Sequence, residues 1–450
     1  PVKPKRYAFV GTGNRVRMFL DPAASKYRDQ AQVVALCDLS QTRADWHRDR
    51  LQKKFNLPPP SFYRAEQFSM MLQETRPDVV VVTTMDSTHD EFIVAALHAG
   101  CDVVTEKPMT VDAPKCRRIL QAVQETGRHV RVTFNYRWGA GATEVKKFLS
   151  GGTMGRVRLV HLEYLLNTRH GADYFRRWHS QKECSGGLLV HKSTHHFDLV
   201  NWWIDSIPNE VSAFGNLAFY GEANALQRGD QKWTGFSRYT GRENGQDPFA
   251  YRLDDPKLTD PEMEQGIYWK AEKETGYLRD QNVFRPGITI EDVMSVLVRY
   301  RDDTLLNYSL NAFSPYEGYT ATFTCDRGRV EYREFHGAHI IQGAGSKSLV
   351  DEHGSWKAEL KVFPHFQDPY EVQIPFSEGG HGGGDPLLQE QIFSLSPPAD
   401  PWARSAGHEQ GAASILVGVA ANESMRTHAP VRIGQLVELS PKALRLTELV

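Results

Sequence analysis

Between residues 5 and 133 the chain alternates five short valine-rich segments (6–10, 32–37, 79–83, 101–105 and 129–133) with helical stretches near 14–20, 41–54, 66–74, 89–98 and 112–126. Strands that are apolar on both faces cannot border water, so they must lie between two layers of helices. Strands alternating with helices at this spacing predict a doubly wound parallel sheet. After about residue 134 the periodicity changes. Segments 157–166, 209–216, 294–301, 304–313, 318–325 and 328–334 show partial period-two alternation: Val296, Val298 and Tyr300 share one face, with Ser295, Leu297 and Arg299 on the other. This predicts a mostly antiparallel sheet with one open face, backed by helices at 142–150, 192–204 and 408–426.

A chain of 450 residues exceeds one hydrophobic core. The expected organisation is an α/β domain over 1–134 and an α+β domain over 135–450, the latter carrying an insertion at 217–290. That insertion is polar, yet it holds Trp233, Phe236, Tyr239, Phe249, Tyr251, Tyr268, Trp269 and Tyr277. So many aromatics argue against simple disorder and for a segment that packs over a site or forms a subunit contact. Gly379-Gly380-His381-Gly382-Gly383-Gly384-Asp385 reads as a flexible turn entering a helix near Pro386.

With 53 Lys and Arg against 55 Asp and Glu, intermixed throughout, there is no basic stripe of the kind nucleic-acid or membrane-surface binding needs. The longest apolar runs, Val79-Val80-Val81-Val82 and the stretch 415–421, are far short of the roughly 18–20 residues that span a bilayer. The chain starts basic and passes straight into a strand, so no apolar signal segment is expected. Cys37, Cys101, Cys116, Cys184 and Cys325 are scattered and odd in number, as expected of free thiols in a reducing cytoplasm.

Two motifs carry chemistry. Tyr7-Ala8-Phe9-Val10 runs into Gly11-Thr12-Gly13-Asn14-Arg15. Gly11 permits the tight turn, Gly13 lets backbone approach a pyrophosphate, and the helix start beyond offers unpaired N–H groups. Val16 replaces the third glycine of the common fingerprint, but Asp38 at the end of the second strand is placed to accept from a ribose 2′-OH. Its charge favours NAD over NADP, a preference that Arg43 softens. The second motif is Glu106-Lys107-Pro108, just past a strand's C-terminal end, where ligands collect in open α/β sheets. A desolvated lysine there suits acid–base work on an alcohol. Further on, His191, His195 and Asp198 are spaced i, i+4, i+7, as on one helix face. Zinc is disfavoured, because Lys192 stands where H-E-x-x-H has its glutamate and no third ligand is evident, so no metal is expected.

The chain resembles the glucose–fructose oxidoreductase / inositol dehydrogenase (Gfo/Idh/MocA) family. The resemblance rests on Gly11-Thr12-Gly13, Thr83 to His89, Glu106-Lys107-Pro108, Asn135-Tyr136-Arg137, Gly151-Gly152-Thr153-Met154-Gly155, the 185–198 block, and the helix at 410–425 followed by Pro430-Val431. It implies a Rossmann domain over 1–134 that takes NAD through Gly11, Thr12, Gly13, Asn14, Arg15, Asp38, Arg43, Thr84, His89, Glu106, Lys107 and Asn135. It implies that Lys107 and His195 act at the substrate, with Tyr136 and His191 as further acid–base groups. An aspartate usually stands one turn before the histidine, and here that position is His191. Arg137, Trp178, His179 and Lys192 are the expected substrate contacts, with Arg169, Arg176 and Arg177 nearby. These cations suggest an anionic substituent. Three activities follow from the resemblance. The chain is a dehydrogenase oxidising a pyranoside ring hydroxyl at C3 and releasing NADH, an NAD-dependent glycosidase that returns the hydride, or a non-catalytic NAD-binding regulator. A homodimer or homotetramer through the second domain is expected.

Overall fold

The valine-rich segments pair as the periodicity predicts. The computed structural model describes residues 3–243, 246–256, 258, 260–337, 339–341, 345–347, 357–375 and 380–449. Strands β1 (Lys5–Val10), β2 (Ala31–Asp38), β3 (Ser61–Arg64), β4 (Val79–Val82), β5 (Asp102–Thr105) and β6 (Val130–Val132) form one sheet in the order β3-β2-β1-β4-β5-β6. Every pairing in it is parallel. Helices α1 (Arg17–Ala24), α2 (Gln41–Phe55), α3 (Phe68–Thr75), α4 (His89–His98) and α5 (Ala113–Thr126) connect the strands. The order reverses at β1, so the crevice above the β1 and β4 ends is where such a sheet binds its ligand. The edge strand β3 has no counterpart among the predicted segments.

The second sheet joins β7 (Val157–Asn167), β8 (Pro208–Asn216), β9 (Val293–Tyr300), β10 (Leu305–Ser314), β11 (Glu317–Cys325), β12 (Gly328–Gly337), β15 (Lys357–Pro364), β16 (Tyr370–Val372) and β17 (Val431–Arg432). The short strands β13 (His339–Ile341) and β14 (Gly345–Lys347) pair separately. Pairings in the large sheet are antiparallel except β7 with β10. Along β9 burial alternates as expected: Met294, Val296, Val298 and Tyr300 face the helices, while Leu297 is exposed on the other side. The inner face packs on the helices Thr194–Ile204 and His408–Thr427, both largely buried. None of the described helices is long and apolar enough to cross a membrane, and all five cysteines are free thiols.

The glycine tract differs from its sequence reading. A helix runs over Gly380–Phe393, so Pro386 lies inside it rather than at its start; Gly379 lies outside the described residues. Packing overrides the poor helix propensity of glycine. A Cβ on Gly384 would sit 2.6 Å from the Asn135 carbonyl oxygen, so only glycine lets the helix approach there. The far end of this helix lies on the N-terminal sheet. Leu388, Ile392 and Phe393 share a cluster with Tyr7, Phe9, Phe19 and Leu20, and the Tyr7 hydroxyl donates to the Ile392 carbonyl at 2.9 Å.

The described residues of the insertion form a strap. Phe219, Tyr220, Phe249 and Phe284 pack on one another and on Phe175, which anchors it to the second domain. Met263, Ile267 and Tyr268 form a small core with Trp46 of α2. Arg43 Nε donates to the Ile267 carbonyl at 2.8 Å on one side. On the other, Arg177 Nε donates to the Tyr277 hydroxyl at 2.8 Å.

Candidate active site

A cavity of about 1040 Å³ lies between the two halves. At one end is the glycine turn. Gly11 has φ +87°, and a Cβ there would lie 2.6 Å from the Thr83 and Thr84 backbone. Gly13 is different: a Cβ on it would meet nothing within 4 Å, because its backbone faces the cavity. The short 3-10 turn Asn14–Val16 precedes α1. The Asp38 carboxylate accepts from the backbone N–H groups of Thr12 and Ser40, which fixes the turn against β2. Capping of α2 falls to Ser40, whose Oγ accepts from Arg43 N at 3.1 Å, so Asp38 is free of that duty. An open glycine cradle beside a carboxylate with remaining lone pairs fits a dinucleotide. Arg43 lines this end, but the strap pins it, with its guanidinium 5.7 Å from the ring centroids of Tyr268 and Tyr277.

His47 sits beneath the turn, where Nε2 is 3.2 Å from the Thr12 carbonyl oxygen. Burial pushes its pKa down to about 3 from 6.5. The folded value is the lower one, so the unfolded chain takes up the proton first as pH falls. This contribution to stability is intact above about pH 6.5 and is lost progressively toward about pH 3. Melting temperatures measured from pH 8 to pH 4 should fall more steeply for the wild type than for His47→Gln; equal slopes would contradict the assignment.

In the middle of the cavity, Lys107 Nζ donates to the His191 carbonyl at 3.3 Å. Burial lowers the Lys107 pKa, while Glu106 and Asp86 oppose the shift. Glu106 is engaged by Arg15 Nε at 2.7 Å. His89 braces the loop behind the lysine, lying between the carbonyls of Pro108 (2.9 Å) and Thr84 (3.1 Å). Asn135 Nδ2 donates to Asp385 at 2.9 Å, tying the glycine-rich helix to the cavity wall.

The 191–198 segment does not form one helix. A short turn over Leu188–His191 ends, and a new helix starts at Thr194. Its three polar groups therefore separate. His191 Nδ1 bonds the carboxylate of Asp86 from the loop after β4. His195 stacks on Tyr136, with centroids 4.1 Å apart and planes within 12°. Asp198 pairs with Arg137. Lys192 Nζ donates to the Tyr136 hydroxyl at 3.0 Å. Burial pulls the Lys192 pKa down to about 8 and raises that of Tyr136. Burial also holds His191 and His179 well below the usual imidazole range.

Placement as a substrate contact fails for Arg137. Its guanidinium is fully buried, forks onto both oxygens of Asp198, and gives Nη1 to Gln410 at 2.8 Å. It is not among the cavity residues. Arg176 is also spent inside the fold, on the carbonyls of Phe249 and Gln281, and Arg169 does not line the cavity. Trp178, His179, Lys192 and Arg177 do. Thr12 contributes its buried backbone rather than a cavity surface.

Sequence reasoning missed Asp86, His170, Glu317 and His336, all on the cavity wall. His170 Nδ1 is 2.8 Å from Glu317, and the Tyr164 hydroxyl lies 3.3 Å from both Glu317 and His336. Strand parity would have found two of them. Glu317 is in phase with buried Tyr319 and Ala321, and His336 with buried Val330 and Tyr332. Among the described residues, no group of three His, Cys, Asp or Glu could hold a metal ion.

Comparison with known proteins matches both halves. The model of the Gfo/Idh/MocA oxidoreductase family's NAD-binding Rossmann fold covers residues 5–134, and that of the family's C-terminal alpha/beta domain covers 146–433. The Bacillus subtilis (strain 168) protein YteT, described as an oxidoreductase, is 34% identical over 439 residues, 97% of this chain and 99% of its own length. A glycosyl hydrolase family 109 protein of Akkermansia muciniphila is 26% identical over 185 residues, 39% of this chain and 38% of its own. Scyllo-inositol dehydrogenase from Lactobacillus casei, solved with NAD(H) and scyllo-inositol, shares the fold at TM-score 0.60 and 16% identity over 96% of this chain and 100% of that one. With the glycine cradle, the lysine turn and both domain models in agreement, the chain belongs to the Gfo/Idh/MocA oxidoreductase family, and residues 5–134 are its NAD-binding Rossmann domain.

Proposed function

We propose that the protein oxidises a ring secondary alcohol of an anionic pyranoside, at C3, as the first step of a redox-neutral glycoside cleavage. The observation that carries this reading is the convergence of Lys107, His191 and His195, drawn from the two domains, on the cavity that begins at the glycine turn. NAD, when bound, supplies the hydride acceptor. Lys107 is desolvated and takes the hydroxyl proton. The ketone at C3 acidifies the C2 proton, a base removes it, and the C1 substituent is eliminated. Water then adds at C1, and the ketone would be reduced by the same hydride that the cofactor took up in the first step. Oxidation alone needs one proton acceptor; the additional histidines here favour the longer sequence. Similarity to a glycosyl hydrolase family 109 protein supports it.

An anionic substituent is supported by the arginines around Asp173. Arg176, Arg177 and Arg279 lie 3.7, 3.4 and 2.5 Å from that single carboxylate. Glu264, 3.5 Å from Arg279, offsets only part of the remainder. Arg177 is the member that lines the cavity, so a substrate carboxylate would face it. Copies associate, in this reading, through the open face of the large sheet, where Phe214, Leu297 and Leu305 are exposed.

The test is incubation with NAD and a panel of neutral and anionic aryl glycosides. Aglycone release without lasting absorbance at 340 nm, with solvent deuterium at C2, is expected. Lasting absorbance would instead mark a simple dehydrogenase, and silence across the panel a regulator.

A further inference from the structure

We infer that Asp86 and His191 form a carboxylate–imidazole dyad in which His191 Nε2 removes the proton next to the ring ketone and Asp86 is its positioning residue. This rests on the reading of the reaction given above.

The two groups come from the two different domains, 105 residues apart. Asp86 opens the 3-10 turn after β4, and His191 ends the short turn that begins at Leu188. Both are buried and both line the cavity. Nδ1 is bonded to the Asp86 carboxyl, and with that carboxyl ionised the imidazole carries its proton at Nδ1. Nε2 is the nitrogen left to act on a ligand. The ring is clamped edgewise by His179 at 4.3 Å and Tyr174 at 5.3 Å between centroids, so its direction is set before substrate arrives. Lys107 Nζ reaches the carbonyl oxygen of the same residue.

This dyad is separate from the stacked His195–Tyr136 pair with Lys192. The site thus holds two proton-handling groups beside one lysine, and an alcohol oxidation uses one of them. In the second step the C2–H bond breaks and its proton passes to Nε2. Its electron pair spreads onto the ketone oxygen as an enolate, which faces the Lys107 ammonium. Collapse of the enolate expels the C1 oxygen substituent with its bonding pair. Burial pushes the Asp86 carboxyl well above its usual range while the Lys107 ammonium opposes the shift, so the proton taken from C2 is shared by the Asp86–His191 pair.

The experiment supplies the ketone directly. The full-length protein with NAD is given a 3-keto aryl glycoside in deuterium oxide, and deuterium entry at C2 and aglycone release are followed by NMR and absorbance. Asp86→Asn should slow both by roughly 10²-fold or more. Because Asp86 also bears on Lys107, single-turnover formation of NADH from the parent alcohol should slow as well, but at least about tenfold less than the exchange does. Asp86→Glu should recover part of the exchange rate. The wild type should show a strongly downfield Nδ1 proton resonance that Asp86→Asn lacks. If Asp86→Asn does not fold, His191→Gln is measured in its place with the same expectation. Exchange at the wild-type rate, or equal slowing of exchange and NADH formation, would overturn the dyad. A wild-type protein that forms no NADH from any pyranoside overturns the underlying reading instead.

Discussion

Lys107→Ala is expected to lower kcat by roughly 10³-fold or more while leaving NAD affinity within a few-fold of the wild type. Lys107 lines the cavity, donates to the His191 carbonyl and is held by burial in a form that can lose its proton. The nucleotide cradle is built from other residues. Gly11 and Gly13 shape the turn, and Asp38 fixes it through Thr12 and Ser40. Removing the ammonium therefore strikes the proton transfer and leaves the cradle standing. Steady-state rates with the best glycoside, beside a titration of NAD by fluorescence, separate the two. Lys107→Arg should not rescue, because a guanidinium stays charged. Undiminished turnover in Lys107→Ala would remove the lysine from the mechanism.

Arg137→Met is expected to destabilise the fold by about 3–5 kcal/mol, because it leaves the Asp198 carboxylate buried without its partner. Both oxygens of that carboxylate are held by the guanidinium, and both residues are buried. Arg137→Met with Asp198→Leu should recover much of the loss, since apolar groups can replace a buried pair at little cost. Denaturant unfolding measures both variants. At temperatures where Arg137→Met is folded, its KM should match the wild type. A raised KM without loss of stability would return Arg137 to the substrate site.

Much of the architecture was legible because hydrophobic periodicity is a local signal. Strands buried on both faces and strands alternating in burial announced the two sheets before any contact was known. The edge strand β3 escaped because it is four residues long, half-exposed, and follows Pro58-Pro59-Pro60. The glycine turn and Lys107 were legible because chemistry and local structure coincide in a few consecutive residues. The spacing of His191, His195 and Asp198 misled, since it assumes an unbroken helix and the backbone breaks between His191 and Thr194. Arg137 misled for a related reason: it follows Tyr136 directly, yet the two side chains leave the chain in different directions. Asp86 and His191 meet across the fold, and no periodicity connects residues that far apart.

The helix over Gly380–Phe393 has a consequence for anyone who would excise the nucleotide-binding part. A fragment ending at residue 134 would lack Leu388, Ile392 and Phe393, and would bare the apolar side of Tyr7, Phe9 and Leu20 to solvent. Such a naked surface is a recipe for aggregation rather than for an autonomous module. The two lobes are interleaved by chain order, and the first cannot be finished until residue 393 has been made.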